Sequence, residues 1–146
     1  MDRFWKIALV CLLILTLNCL WFKDRPTKPP AGTHKEIYSW VCEDFYIPPG
    51  GNKEFPFDCI EHDTVRGDIA LKQGEYITTW CIIDDENFEK WKANEDCEFL
   101  FYHNYSLGGQ FYIWIPYTET YHFVVINHLS ETIWIIAEVT LERWEK

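Results

Sequence analysis

The residues Glu131 to Trp144 read ETIWIIAEVTLERW. Ile133, Ile135, Ala137, Val139 and Leu141 make an unbroken apolar row at every second position. A period of two suits a strand with one face in a core and is wrong for a helix. The opposite row is Trp134, Ile136, Glu138, Thr140 and Glu142, apolar in its first half and polar in its second. The same period recurs upstream. QFYIWIP, ended by Pro116, puts Phe111, Ile113 and Ile115 on one side and Tyr112 and Trp114 on the other.

Further extended runs are EIYSWVCEDFYI, KEFPFDCIEHD, TVRGDIAL, EYITTWCII, CEFLFYHNY and TETYHFVVINH, separated by glycine, proline and polar breaks. Pro56 inside the second run fits an edge strand or a bulge. One segment breaks the pattern. DDENFEKWKANED has acids at its start, and Phe88 and Trp91 three apart on one face, which predicts a single short helix over about residues 85–93. About eight short strands and one helix predict an all-β fold, an antiparallel β-sandwich, over residues 36–146.

Upstream of that domain, Ile7 to Phe22 carries no charge and follows Arg3 and Lys6. This predicts a signal peptide or signal anchor over residues 1–22. No small-x-small site follows, which disfavours cleavage by an ordinary signal peptidase but leaves both the signal peptide and the anchor open, with the folded part secreted or at the cell surface. Residues 23–35, KDRPTKPPAGTHK, read as an extended Pro-rich linker. Beyond the apolar segment four cysteines remain, Cys42, Cys59, Cys81 and Cys97. Behind an export signal they suggest two disulfides, with Cys42–Cys59 and Cys81–Cys97 the pairing between near neighbours.

The formal net charge is -10. Nucleic acid is therefore not an expected partner, because phosphate binding needs clustered Lys and Arg. Aromatic residues make up 18% of the chain, which rules out disorder. No P-loop, G-x-S-x-G or H-E-x-x-H appears, and neither a cofactor nor a metal is expected. His103, His122 and His128 would gather around a metal only if their strands were neighbours. His62 lies between Glu61 and Asp63, with Asp58, Asp68 and Glu54 near in the chain, the one arrangement that suggests a secreted hydrolase. On a strand, however, Glu61 and Asp63 would point away from His62.

Two further positions stand out. Asn104-Tyr105-Ser106 is an N-glycosylation sequon ahead of a glycine turn. Asn127 ends the doubly apolar run YHFVVIN, where a side-chain amide can close a turn on nearby backbone.

The C-terminal half resembles the GOLD-like β-sandwich domains, distant relatives of the p24 lumenal domain. The resemblance rests on Asp84, Asp85, Asn87 and Phe88 after a strand, and on Tyr121, Phe123, Val124, Val125 and Asn127 at the end of another. It spans roughly residues 67–143 and is to the sandwich alone. The coiled coil and C-terminal membrane span of the p24 proteins are not part of the match. It implies an extracytoplasmic, non-enzymatic domain that contacts proteins.

The expected binding surface is an outward aromatic patch of Tyr112, Trp114, Trp134 and Ile136, unless the helix or the linker covers it. Its partner would be an extracytoplasmic protein. The alternative is a lectin-like, carbohydrate-binding module, with sugar rings stacked on those aromatics. Exposed, coplanar Trp114 and Trp134 on a grooved face would favour sugar, and a rimmed apolar patch would favour protein.

Overall fold

The structure, a computed structural model, describes residues 34–145. The expected signal or anchor and most of the expected linker lie outside the described residues. Eight strands and one helix follow in the order β1 (His34–Ile47), β2 (Asn52–Cys59), β3 (Thr64–Gln73), β4 (Ile77–Asp84), α1 (Asp85–Lys92), β5 (Phe101–Ser106), β6 (Gly108–Trp114), β7 (Glu119–Ile126) and β8 (Ile133–Glu145). The first strand begins at His34, so the last two residues of the expected linker are strand.

The strands form two four-stranded antiparallel sheets, β1-β8-β3-β6 and β2-β7-β4-β5. Every connection passes from one sheet to the other except β4 to β5, which runs through α1 and stays in the second sheet. The predicted β-sandwich is therefore the observed architecture. The β1–β2 connection shows how local chemistry serves it. Gly51 N–H donates to the Pro48 carbonyl at 3.0 Å, and Gly50 sits at φ +69°, a conformation that glycine adopts without steric cost.

The core lies between the sheets. Ile133, Ile135, Ala137, Val139 and Leu141 of β8 are all buried there, as are Phe111 and Ile113 of β6, with Ile115 just beyond. At Gly67 of β3, an added Cβ would stand 2.2 Å from the Phe111 ring, so glycine is what lets that ring lie across the sheet. Strand β7 is buried on both faces. Tyr121, Phe123 and Val125 join the main core, while Val124 and Ile126 belong to a second, smaller cluster with Cys81, Ile83 and Phe88. That cluster is roofed by α1, which packs on β7 and β4.

The helix starts because Asp84 caps it. Its carboxylate accepts from the Asn87 backbone N–H at 2.8 Å, and Asp85 and Glu86 complement the helix dipole. Because α1 covers the second sheet, no described element covers the outer face of the first. Among the described residues no helix is long and apolar enough to cross a membrane.

Two expectations about strands change. The run KEFPFDCIEHD is not one strand: β2 stops at Cys59, and Ile60 to Asp63 form a turn. Asp63 makes that turn, because its carboxylate accepts the Ile60 N–H at 2.8 Å and its own N–H donates to the Ile60 carbonyl. Likewise β5 begins at Phe101, since Cys97 and Phe99 pack onto the cluster beneath α1 instead of pairing in a sheet.

Candidate functional site

Cross-strand register lays out the outer face of the first sheet row by row. Glu142, Thr64 and Trp114 are neighbours on β8, β3 and β6, with Ile37 of β1 beyond Glu142. The next row is Ser39, Thr140, Arg66 and Tyr112, and the third is Cys42, Glu138, Asp68 and Gln110. A shallow open cleft of about 540 Å³ crosses the strands over these rows.

Tyr112 stands at its rim, 68% exposed. Gln110 Nε2 donates to Asp68 Oδ2 at 3.0 Å, which joins the amide and the carboxylate on the cleft wall. Asp68 and Glu138 are direct cross-strand partners, an unfavourable juxtaposition of like charges. At the other side Glu142, only 8% exposed, is held by Lys35 Nζ at 2.6 Å. The Arg66 guanidinium lies 4.0 Å from Glu142, and both residues line the cleft.

The expected aromatic patch divides in two. All four side chains are on strands of this sheet, but Trp114 is opposite Thr64 while Trp134 is opposite Gln73. Those positions are nine residues apart on β3, about 30 Å at ~3.3 Å per residue, so no single sugar ring or side chain touches both. Trp114 is further covered by His62, whose ring stacks on it at 5.0 Å. Its indole N–H is the buried side-chain polar atom without a partner among the described residues. Trp134 instead stacks on Tyr46 at 5.5 Å and donates to Asp44, with Ile136 in the adjacent row. The periodicity of β6 and β8 gave the outward direction of these residues. Tyr112 belongs to the cleft, and its partners Arg66, Asp68 and Gln110 went unnoticed because only strand register brings them together.

Of the hydrolase alternative's acids, Glu61 approaches His62, at 3.7 Å with both side chains exposed, and Asp58 and Asp68 do not join them. His62 is in the exposed turn with φ +76°, Asp68 faces outward on β3, and Asp58 is on β2 of the other sheet, accepting from Thr120 at 2.6 Å. The alternation argument for Glu61 and Asp63 also lapses, since they lie in a turn. Asp63 is 1% exposed and grips Arg143 at 2.7 and 3.0 Å, with Arg143 also over the Tyr38 ring.

Neither do His103, His122 and His128 form a set. His103 meets Trp80 edge-on, and His128 donates its N–H to Thr78. His122, 6% exposed, places Nδ1 2.7 Å from Glu54 and Nε2 2.9 Å from Asp85 and stacks on Phe88 at 4.1 Å. Among the described residues, ligand atoms of His34, Glu36 and Glu145 come within 4.8 Å of one another. The single Tyr38 O–H already donates to Glu36, and its oxygen lies 3.2 Å from Glu145. That hydrogen bond holds Glu36 below the usual carboxylate range and pushes the Tyr38 phenol up to about 12.

Among the described residues, Cys42, Cys59, Cys81 and Cys97 are free thiols, without either expected disulfide. Cys42 is exposed on the outer face of the first sheet, and Cys59 is in the core between the sheets, so the expected Cys42–Cys59 pairing is opposed by the sheet itself. Cys81 and Cys97 share the cluster beneath α1. Asn104 is exposed on edge strand β5, its Oδ1 accepting from Thr79 at 2.8 Å. Asn127 is fully buried, and its Nδ2 donates to the carbonyls of Ile47, Pro48 and Glu131.

No protein-family model matches the sequence. No curated protein matches it either. Solved structures do. A protein of the Bacillus endospore appendages, described as disulfide-linked pili, is similar over 85% of this chain and 100% of its own, with a TM-score of 0.51 at 9% identity. The periplasmic inhibitor of g-type lysozyme from Aeromonas hydrophila covers 82% of this chain and 94% of its own (TM-score 0.46, 10% identity). A low-affinity xylan-binding module from Roseburia intestinalis covers 77% and 96% (TM-score 0.40, 11% identity). At such identities the likeness to the first of these is one of fold, and the chain is similar to a β-sandwich of known structure.

Proposed function

We propose that this chain is an extracytoplasmic, non-enzymatic binding module and that its ligand is a neutral glycan lying across the outer face of the first sheet. The observation that carries the reading is the open cleft, with exposed Tyr112 beside Arg66, Asp68, Gln110 and Glu138. A sugar ring offers a C–H face that stacks on an aromatic ring and vicinal hydroxyls that suit planar, two-pronged partners. Carboxylate, amide and guanidinium groups are such partners, and all three line this cleft. The like charges of Asp68 and Glu138 and the net charge of -10 disfavour an anionic ligand.

The protein-contact reading keeps one specific support, the Tyr46–Trp134 stack with Ile136 at the far end of the same face. The uncharged run Ile7 to Phe22 supports export and tethering at the N-terminus, and the exposed Asn104 sequon supports glycan attachment. The GOLD-like kinship is proposed on the sequence pattern of Asp84, Asp85, Asn87, Phe88 and Asn127 alone.

Affinity electrophoresis in gels containing neutral polysaccharides tests the glycan reading. Tyr112→Ala should weaken retardation at least about tenfold, equivalent to about 1.4 kcal/mol, with the melting temperature unchanged. Retention of full binding by Tyr112→Ala and by Gln110→Ala would refute the cleft as the site.

A further inference from the structure

Cys81 and Cys97 stand on one small apolar cluster, apart from the main core. Cys81 is on β4, 2% exposed, with Val124 and Tyr102 as its cross-strand neighbours. The chain leaves that strand, forms α1 over the cluster, and returns through Cys97. The return is anchored on both sides: Glu98 N–H donates to Asn87 Oδ1 at 3.0 Å, and Leu100 N–H to the Ile82 carbonyl at 3.0 Å. Burial pushes the Cys81 thiol up to about 12, and the neighbouring Cys97 adds to that shift. Access differs between the two. Cys97 lines an open cleft with Glu86, Asn87, Lys90, Asp96 and Glu98, whereas Cys81 is sealed beneath the helix.

We propose that Cys81 and Cys97 are a thiol-oxidation site that closes into an intramolecular disulfide, binding the helix-bearing segment 82–96 to the second sheet. The oxidant is a disulfide-bearing thiol compound. The Cys97 thiolate attacks one of its sulfurs, the oxidant's S–S bond breaks, and one thiolate departs. Cys81 Sγ then attacks Cys97 Sγ, and the second sulfur of the oxidant leaves as a thiol carrying the Cys81 proton. Two protein thiols lose two electrons and the oxidant's disulfide gains them. The buried, strongly protonated thiol is the resolving group and the solvent-facing one the attacking group. This assignment is independent of the glycan reading, because the cluster lies on the opposite sheet from the cleft.

The test treats the full-length chain with oxidised glutathione and maps its peptides without reductant. The expected product joins the Cys81 and Cys97 peptides, lacks two hydrogens, and carries no glutathione at either position. Exposed Cys42 gains an adduct and serves as the internal control for reaction. In Cys97→Ser, with its melting temperature checked, Cys81 should stay a free thiol that alkylates only after denaturation. A stable glutathione adduct on Cys97 beside an alkylatable Cys81 would overturn the proposal. So would recovery of both thiols unmodified while Cys42 has reacted.

Discussion

The buried Asn127 side chain shares the two hydrogens of Nδ2 among three carbonyls, those of Ile47, Pro48 and Glu131, and accepts at Oδ1 from the Leu129 N–H. These hydrogen bonds tie the end of β7 to the β1–β2 turn and to the approach to β8. Asn127→Ala orphans several buried groups at once and should cost roughly 3 kcal/mol or more in urea unfolding. Trp114 is the opposite case, a buried N–H with nothing to bond. Trp114→Phe keeps a ring for His62 to stack on and removes the orphan. Stability should hold or rise by up to about 1 kcal/mol, a sign unusual for truncating a half-buried Trp.

Glu119 adds a pH-dependent case. Burial, then the nearby Asp84, raises its carboxyl above the usual range. A folded-state pKa above the unfolded value means relative stabilisation at pH below about 4.3, lost as pH rises through the folded value. Glu119→Gln removes a charge that costs stability at neutral pH and keeps an acceptor for Tyr121. Its melting temperature should exceed the parent's at pH 7, and the gap should shrink below about pH 4. An unchanged gap at both pH values would remove Glu119 as the cause.

At the scale of elements, α1 is held to the second sheet by chemistry that crosses three elements. His122 of β7 reaches Glu54 on β2 and Asp85 on α1, with Phe88 stacked against its ring. His122→Phe keeps an aromatic ring against Phe88 and deletes both polar contacts. Because Glu54 and Asp85 remain partly in water, the loss should be modest, about 1–2 kcal/mol, and should show as faster amide exchange within 85–100.

These contacts also mark what the sequence could carry. Period-two alternation announced β6 and β8, a doubly apolar run announced β7, and the acids at Asp84 to Glu86 announced α1, because these signals are local. Register is not local. Nothing near Trp114 or Trp134 in the chain says that β3 separates their partners by nine residues, so outward direction was legible and mutual distance was not. The Ile60–Asp63 turn was hidden for a similar reason. Asp63 is drawn inward by Arg143, eighty residues later in the chain.

Across the whole molecule, charge separates the two readings of the open face. A net charge of -10 sets up a field that attracts a basic protein and scarcely affects a neutral sugar. The Debye length falls from about 10 Å at 0.1 M salt to about 3 Å at 1 M, so long-range steering is lost over that range. Glycan binding through Tyr112, Gln110 and their neighbours acts at contact distance. Its dissociation constant should change less than about threefold between 0.1 and 1 M sodium chloride. A basic protein docked over Asp68, Glu138 and the Tyr46–Trp134 stack should weaken more than about tenfold, chiefly through slower association. Calorimetric titration of a retarding polysaccharide at both salt concentrations therefore tests the ligand's chemistry without altering a residue. Steep salt dependence would move the binding reading from glycan to protein.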